Sequence, residues 1–351
     1  MNENRDNNIM KYLLLFIFYC IFSTFNCVAQ TNANIYDGET SSKIIPITDR
    51  EYFPTAKQII QQADKSISIS MFVVKKGEKV NSLIEELKKT ADRGVKIKIL
   101  LENSIEDNRS IITSLKNMEN IEIKFDSPQK TTHNKIIIID GNIILIGSTN
   151  WTESSLSYAN EANVIINDRA IARYFQQYFN YLWKDSSKDI SPFENFKGEI
   201  IPIIDRQYYD IVSEMMKKAT KRILVMVYGF KLTNNGDTKG DILAEEIVDA
   251  KKRGVNTKVL LEKSDFNEWL NKMNNETIEY FKENGVEATF DSENTITHSK
   301  IVIIDDAVIL GATNWSYSGL EMWHNTDVLI KDTKIVEFFV NYFNAKFSDG
   351  K

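Results

Sequence analysis

Short apolar runs alternate along this chain with longer stretches in which apolar residues recur every three to four positions. Ser66 to Val74, Val95 to Leu101, Lys135 to Asp140 and Ile143 to Ile146 are alternating or continuous apolar runs of strand length, as expected of strands covered on one or both faces. Ser82 to Arg93 and Ile171 to Trp183 carry apolar residues at helical spacing, and Ile242 to Arg253 and Ile335 to Phe347 repeat that pattern later in the chain. Strands alternating with helices predict an α/β sandwich built on a mixed sheet.

The pattern is written twice. Ile44-Ile45-Pro46-Ile47-Thr48-Asp49-Arg50 is echoed by Ile200-Ile201-Pro202-Ile203-Ile204-Asp205-Arg206. Arg93-Gly94-Val95 leading into Lys98 to Glu102 returns as Arg253-Gly254-Val255 leading into Lys258 to Glu262, and Phe125-Asp126-Ser127 returns as Phe290-Asp291-Ser292. A period of roughly 160 residues is far longer than the 20–50 of solenoids and marks a duplicated domain. The chain is therefore read as two homologous domains, residues 44–184 and 198–351. A polar linker, 185–197, joins them, and their sheets are expected side by side about a pseudo-two-fold axis. The length of 351 residues suits two domains at roughly 150 residues each.

The amino terminus breaks this pattern. Arg5 and Lys11 precede an apolar run from Tyr12 to Phe25 and small residues around Ala29, which is a signal-peptide layout over residues 1–29. The run is shorter than the roughly 20 residues that span a bilayer, so the expectation is an exported protein, secreted or periplasmic, anchored to a membrane if the leader is kept. Lipidation of Cys27 is a poorer fit, because Phe25-Asn26 is bulky before the cysteine. Cys20 and Cys27 are the only cysteines, so cleavage after Ala29 would remove disulfides, thiol catalysis and zinc-thiolate sites together. A formal net charge of -6 without a basic block weakens a nucleic-acid partner without removing it.

Chemistry concentrates at two matching places. His133-Asn134-Lys135 is followed by four apolar residues, Asp140, and then Gly147-Ser148-Thr149-Asn150; His298-Ser299-Lys300 is followed by four apolar residues, Asp305, and Gly311-Ala312-Thr313-Asn314. At average residue usage such a set of fixed positions arises by chance about once in 10^8 starts. On a strand the i, i+2 relation puts histidine and lysine on one face. A turn at Asp140-Gly141-Asn142, or at Asp305-Asp306, folds each asparagine back to the level of its histidine. Each half then offers an imidazole, an ammonium and an amide to one anion. Asp140 and Asp305 have the opposite parity and are expected to hold the turn and nearby backbone. A lone His-x-Lys strand would read as an exposed edge with a solvated cation, but duplication removes that parity. The third histidine, His324, suits a structural role better than a pocket wall. Trp151, Trp315, Tyr158 and Trp323, near the motifs, read either as aromatic walls or as core packing.

These motifs resemble the HKD signatures of the phospholipase D superfamily, over nearly all of the chain after the leader. The resemblance implies a double displacement through a phosphohistidine, without metal or other cofactor. Mapped here, it makes His133 the nucleophile and His298 the acid and base. Lys135, Lys300, Asn150, Asn314 and Ser148 would hold phosphoryl oxygens, and Asp140 and Asp305 would complete the catalytic motifs. A nucleophilic histidine needs an acceptor on its other nitrogen. Glu161, eleven residues after Asn150, is the candidate for His133, while the equivalent position after Asn314 is Asn325. Asp327 offers an alternative carboxylate in the second half. The implied activity is hydrolysis of phospholipid head groups to phosphatidate at a membrane surface. A nuclease acting on DNA or RNA, a cardiolipin synthase-like phosphatidyltransferase, or an inactive anion-binding module are the alternatives. Both histidines lie in one chain, so a monomer is expected.

Overall fold

Each half of the chain builds one seven-stranded mixed sheet in the computed structural model, which describes residues 44–233, 236–292 and 295–350. The leader expected over residues 1–29, with Cys20 and Cys27, lies outside the described residues. The first sheet comprises β1 (Ile44–Thr48), β2 (Ser66–Met71), β3 (Lys96–Leu101), β4 (Ile121–Phe125), β5 (Lys135–Ile139), β6 (Ile143–Gly147) and β7 (Ala162–Asn167), in the order β1-β7-β6-β5-β2-β3-β4. The second comprises β8 (Ile200–Ile204), β9 (Arg222–Val227), β10 (Asn256–Leu261), β11 (Glu287–Phe290), β12 (Lys300–Ile304), β13 (Ala307–Gly311) and β14 (Thr326–Ile330). Its order, β11-β10-β9-β12-β13-β14-β8, is the same topology read from the other edge.

The three parallel strands of each sheet follow from helical crossovers. Helix Glu78–Asp92 links β2 to β3, and helix Lys239–Lys252 links β9 to β10. Helices Arg169–Lys184 and Thr333–Asp349 end the two halves. Each starts two residues before its apolar periodicity, because Asp168 and Asp332 accept the first free N–H groups as N-caps. Helices Tyr52–Gln61, Gln207–Lys218 and Glu268–Glu283 were not read from the sequence. The run expected as a strand to Val74 leaves the ladder after Met71. There the Phe72 and Val74 N–H groups turn to the Asn134 carbonyl and the Asn108 side chain.

The two halves form one body around a shared core. Ile136, Ile146 and Val164 of the first sheet, Ile301, Leu310 and Val328 of the second, and Phe175, Phe179, Phe339 and Phe343 of the two terminal helices belong to a single buried cluster. Sheets carrying apolar side chains on both faces cannot expose either one, so each needs helices on one side and the other half on the other.

The spacing difference between the two motifs is absorbed in a hairpin turn. In the first half Ile139 pairs with Ile143 across three residues; in the second Ile304 pairs with Ala307 across two. Asp140 and Asp305 open these turns at φ 53° and 49°, a region where aspartate is better tolerated than bulkier residues. The ladder beyond each turn runs in matching register and brings the asparagine back toward its histidine.

Candidate active site

The His-x-Lys segments enter β5 and β12 from a loop held by the opposite half. The His133 N–H donates to the His324 carbonyl at 2.8 Å, and the His298 and Ser299 N–H groups donate to the Asn160 carbonyl at 2.9 and 3.0 Å. The loop after each motif thus crosses to steady the other half's histidine. Behind each histidine lies a pair of buried carboxylates. Glu102 and Asp126 both accept the Thr132 N–H, at 2.8 and 2.9 Å, and Glu262 accepts the Thr297 N–H beside Asp291. Burial and the neighbouring carboxyl push Asp126 up to about 7 and Glu262 up to about 9, so each pair tends to hold a proton.

The same crossing changes the partners expected of the histidines. Glu161 does not face His133: both its carboxylate oxygens lie 3.1 Å from Nδ1 of His298. His133 donates from Nδ1 to Oδ1 of Asn325 at 3.1 Å, and the orientation of that amide is set by its own N–H bond to the Gly319 carbonyl at 2.9 Å. Each ring thereby keeps a proton on Nδ1, which leaves Nε2 as the nitrogen that can attack or exchange a proton. Asp327 is not a substitute carboxylate for either ring. It is fully buried and takes the Thr313 hydroxyl at 2.6 Å and the Thr313 N–H at 3.1 Å, as Asn163 binds Thr149 in the first half. Sequence offset within a half placed these residues in line with their own histidine, whereas the interlocked loops exchange them.

Two buried ammonium groups complete the arrangement. Lys135 and Lys300 are each 2% exposed and donate to the carbonyls of His133, at 2.7 Å, and His298. Their cations rest over Phe72 at 4.7 Å and Tyr228 at 5.2 Å. Burial, and then the field of Lys300, drives the Lys135 ammonium well below its ordinary range; burial lowers Lys300 to about 7 despite Glu161. Burial and the charges of Lys135, Lys300 and His298 hold His133 well down as well. Burial would raise Glu161, but His298 and Lys300 outweigh it and keep it ionised. His298 is lowered by burial against the pull of Glu161. Basic groups buried this close together depress one another, and an anion bound among them would favour their charged forms.

Asn150 and Asn314 follow the ends of β6 and β13, and their buried side-chain oxygens have no hydrogen-bond partner among the described residues. Gly147 permits this path, since a Cβ there would lie 2.3 Å from the Ala162 carbonyl oxygen. Ser148 is not a phosphate ligand in this geometry. Fully buried, its hydroxyl donates to Glu161 and accepts the Ala162 N–H at 3.0 Å, so it braces the carboxylate. Nor do Asp140 and Asp305 reach the histidines. Asp140 accepts the N–H groups of Asp64, Lys65 and Ser66, and Asp305 those of Thr220, Lys221 and Arg222. They belong to the far end of the sheet, one residue past the ends of β5 and β12.

Aromatic residues divide differently from the sequence expectation. Trp151 and Trp315 are core side chains, donating to the Tyr52 and Tyr208 hydroxyls. The site walls are Phe72 and Trp323 around His133, at 4.5 and 4.9 Å, and Tyr228 edge-on to His298 at 5.0 Å. Phe72 and Tyr228 were missed, although each follows the last residue of the strand beside its His-x-Lys strand and is matched between the repeats. His324 is structural: fully buried, it bridges Asp205 at 2.9 Å and the Ser186 carbonyl at 3.0 Å. Among the described residues no three His, Cys, Asp or Glu side chains converge as metal ligands would.

The family model for "Cardiolipin synthase, PLD-like domain" matches the chain twice, at residues 56–183 and 212–347. The chain belongs to the phospholipase D-like family. Mitochondrial cardiolipin hydrolase of Xenopus tropicalis is 26% identical over 152 residues, 43% of this chain and 70% of that protein. Phospholipase D of Rickettsia prowazekii is 32% identical over 126 residues, 35% of this chain and 60% of that one. Among solved structures, phosphatidylserine synthase of Haemophilus influenzae superposes with a TM-score of 0.69 at 13% identity, covering 88% of this chain and 86% of that one. That likeness establishes the fold, two phospholipase D-like α/β domains.

Proposed function

We propose that this protein is a metal-independent phosphodiesterase that hydrolyses phospholipid head groups to phosphatidate through a phosphohistidine. The observation that carries this reading is the pair of histidines locked with Nε2 free, beside two buried ammonium groups. A phosphodiester needs its charge met before a nucleophile approaches, and Lys135, Lys300 and the two asparagine amides suit that task. The cardiolipin hydrolase and phospholipase D relatives support a lipid substrate, and the leader supports export.

The roles of the histidines follow from their crossed partners. The ring facing a carboxylate is the better nucleophile, because forming the N–P bond puts positive charge on it, and Glu161 meets that charge. His298 is therefore the nucleophile, and the role first given to His133 passes to it. His133 faces only a neutral amide, which leaves its imidazolium more acidic and suited to protonating the leaving alkoxide. With the anionic diester bound, His133 carries a second proton on Nε2; it gives that proton to the alcohol oxygen as His298 Nε2 attacks phosphorus and the P–O bond breaks. His133 then takes a proton from water, whose oxygen attacks phosphorus and breaks the P–N bond.

The test exposes the protein, in EDTA, to phosphatidylcholine, phosphatidylethanolamine, cardiolipin and labelled single-stranded DNA. Released phosphatidate supports the reading; cleaved DNA with inert lipids moves the chain to nuclease chemistry. With a p-nitrophenyl diester, whose leaving group needs no acid, His133→Asn should accumulate a phosphorylated peptide containing His298, and His298→Asn none. An adduct on residue 133 would reverse the assignment.

A further inference from the structure

The two halves share their strand order but differ in one connection at the edge of the site. In the first half Asn108 closes the loop after β3, its amide donating to the carbonyls of Phe72 at 2.9 Å and Glu102 at 2.8 Å. Asn274 does the same after β10, to Tyr228 at 3.0 Å and Glu262 at 2.8 Å. Asn108 lies 6 residues after Glu102, whereas Asn274 lies 12 residues after Glu262. The second half therefore carries a longer connection between the same two anchors, a loop and the first turn of helix Glu268–Glu283, with Phe266 on the loop and Trp269 on that turn, 71% and 63% exposed. Residues 103–107, its counterpart, contain no aromatic residue.

This loop lies at the edge of the site. Asn267 stands beside the Tyr228 hydroxyl, and Tyr228 is the ring against His298. Leu270 and Met273 cover Gly229, the next residue along. The Lys231 ammonium sits over the Trp269 ring at 5.5 Å, and with Lys263 and Lys272 flanking the connection it makes three cations against Asp265 and Glu268. Large aromatic rings held out in water cost hydration without a folding benefit, and aromatic residues set among lysines suit the interfacial zone of a bilayer.

We propose that Phe266 and Trp269 form a docking rim that enters the head-group zone of a bilayer containing anionic phospholipid, presenting the His298 side of the site to lipid head groups. The proposal rests on the phosphodiesterase reading for its purpose but not for its test. Full-length protein is mixed with vesicles of phosphatidylcholine, with and without phosphatidylglycerol. Phe266→Ser/Trp269→Ser should weaken binding to the mixed vesicles about tenfold while turning over a soluble p-nitrophenyl diester as the parent does. Because the apolar leader could hold vesicles by itself, location is read separately. Brominated phosphatidylcholine should quench parent tryptophan emission, and Trp269→Phe should remove that quenching. Unchanged quenching in Trp269→Phe would overturn the proposal, as would aromatic-dependent binding to single-stranded DNA with vesicles ignored. Rim-dependent vesicle binding without hydrolysis of lipid or diester would uphold the rim and sink the phosphodiesterase reading.

Discussion

Glu161 shows how much rests on one side chain. It is fully buried, ionised, braced by Ser148, and holds Nδ1 of a histidine from the other half. Glu161→Gln keeps the shape and removes the charge that would meet a phosphohistidine. It should lower kcat by about 10^2 to 10^4 with little change in KM, whereas Asn325→Ala should cost less; steady-state kinetics on a soluble diester would separate them. Equal losses would deny the division of labour. The carboxylate pairs give a pH prediction. Glu262, raised from 4.5 to about 9, keeps its proton in the folded state after the unfolded chain has lost its own. Stability is thus fully present below the unfolded value and is lost as pH rises from about 4.5 toward about 9. Glu262→Gln cannot ionise, so its Tm relative to the parent should climb across that window. A difference that stays flat with pH would refute the shared proton.

At the scale of elements, Asp140 and Asp305 are structural fasteners. Asp140 ties three N–H groups at the start of β2 to the β5–β6 turn, so the strand that begins at Lys135 keeps its register against its neighbour. Asp140→Ala leaves those donors without a protein partner and should cost about 1–3 kcal/mol, read by urea denaturation. kcat per folded molecule should fall far less than in His298→Asn. A fall as large as that of His298→Asn would mean that the aspartate acts in the chemistry. These turns also explain why motifs of unequal spacing keep matching ladders: the extra residue of the first half lies in a three-residue turn, outside the ladder. Helix Glu268–Glu283 and its loop show the opposite case, a local enlargement that changes the surface and leaves both anchors in place.

At the scale of the molecule, the two sheets share one core and exchange the loops that hold the histidines. One chain therefore supplies both motifs and both sets of supports. Sedimentation should give a monomer with full activity, and activity that rises with protein concentration would indicate assembly between chains. Within this body, the duplicated strands, the terminal helices and the His-x-Lys pairs were all legible in the sequence, because apolar periodicity and i, i+2 spacing are local and reappear unchanged in the fold. The parity of Asp140 and Asp305 was legible for the same reason. The helices Tyr52–Gln61 and Gln207–Lys218 were obscured by short, mixed patterns. Which carboxylate serves which histidine could not be read from offsets, since Glu161 and Asn325 act across the pseudo-two-fold on the half that did not encode them. Nor could the fates of Trp151, which is buried in the core, and Phe72, which is half-buried against His133. Backbone periodicity specifies elements within one repeat; partners across the interface depend on how the two repeats pack, and only the tertiary structure decides that.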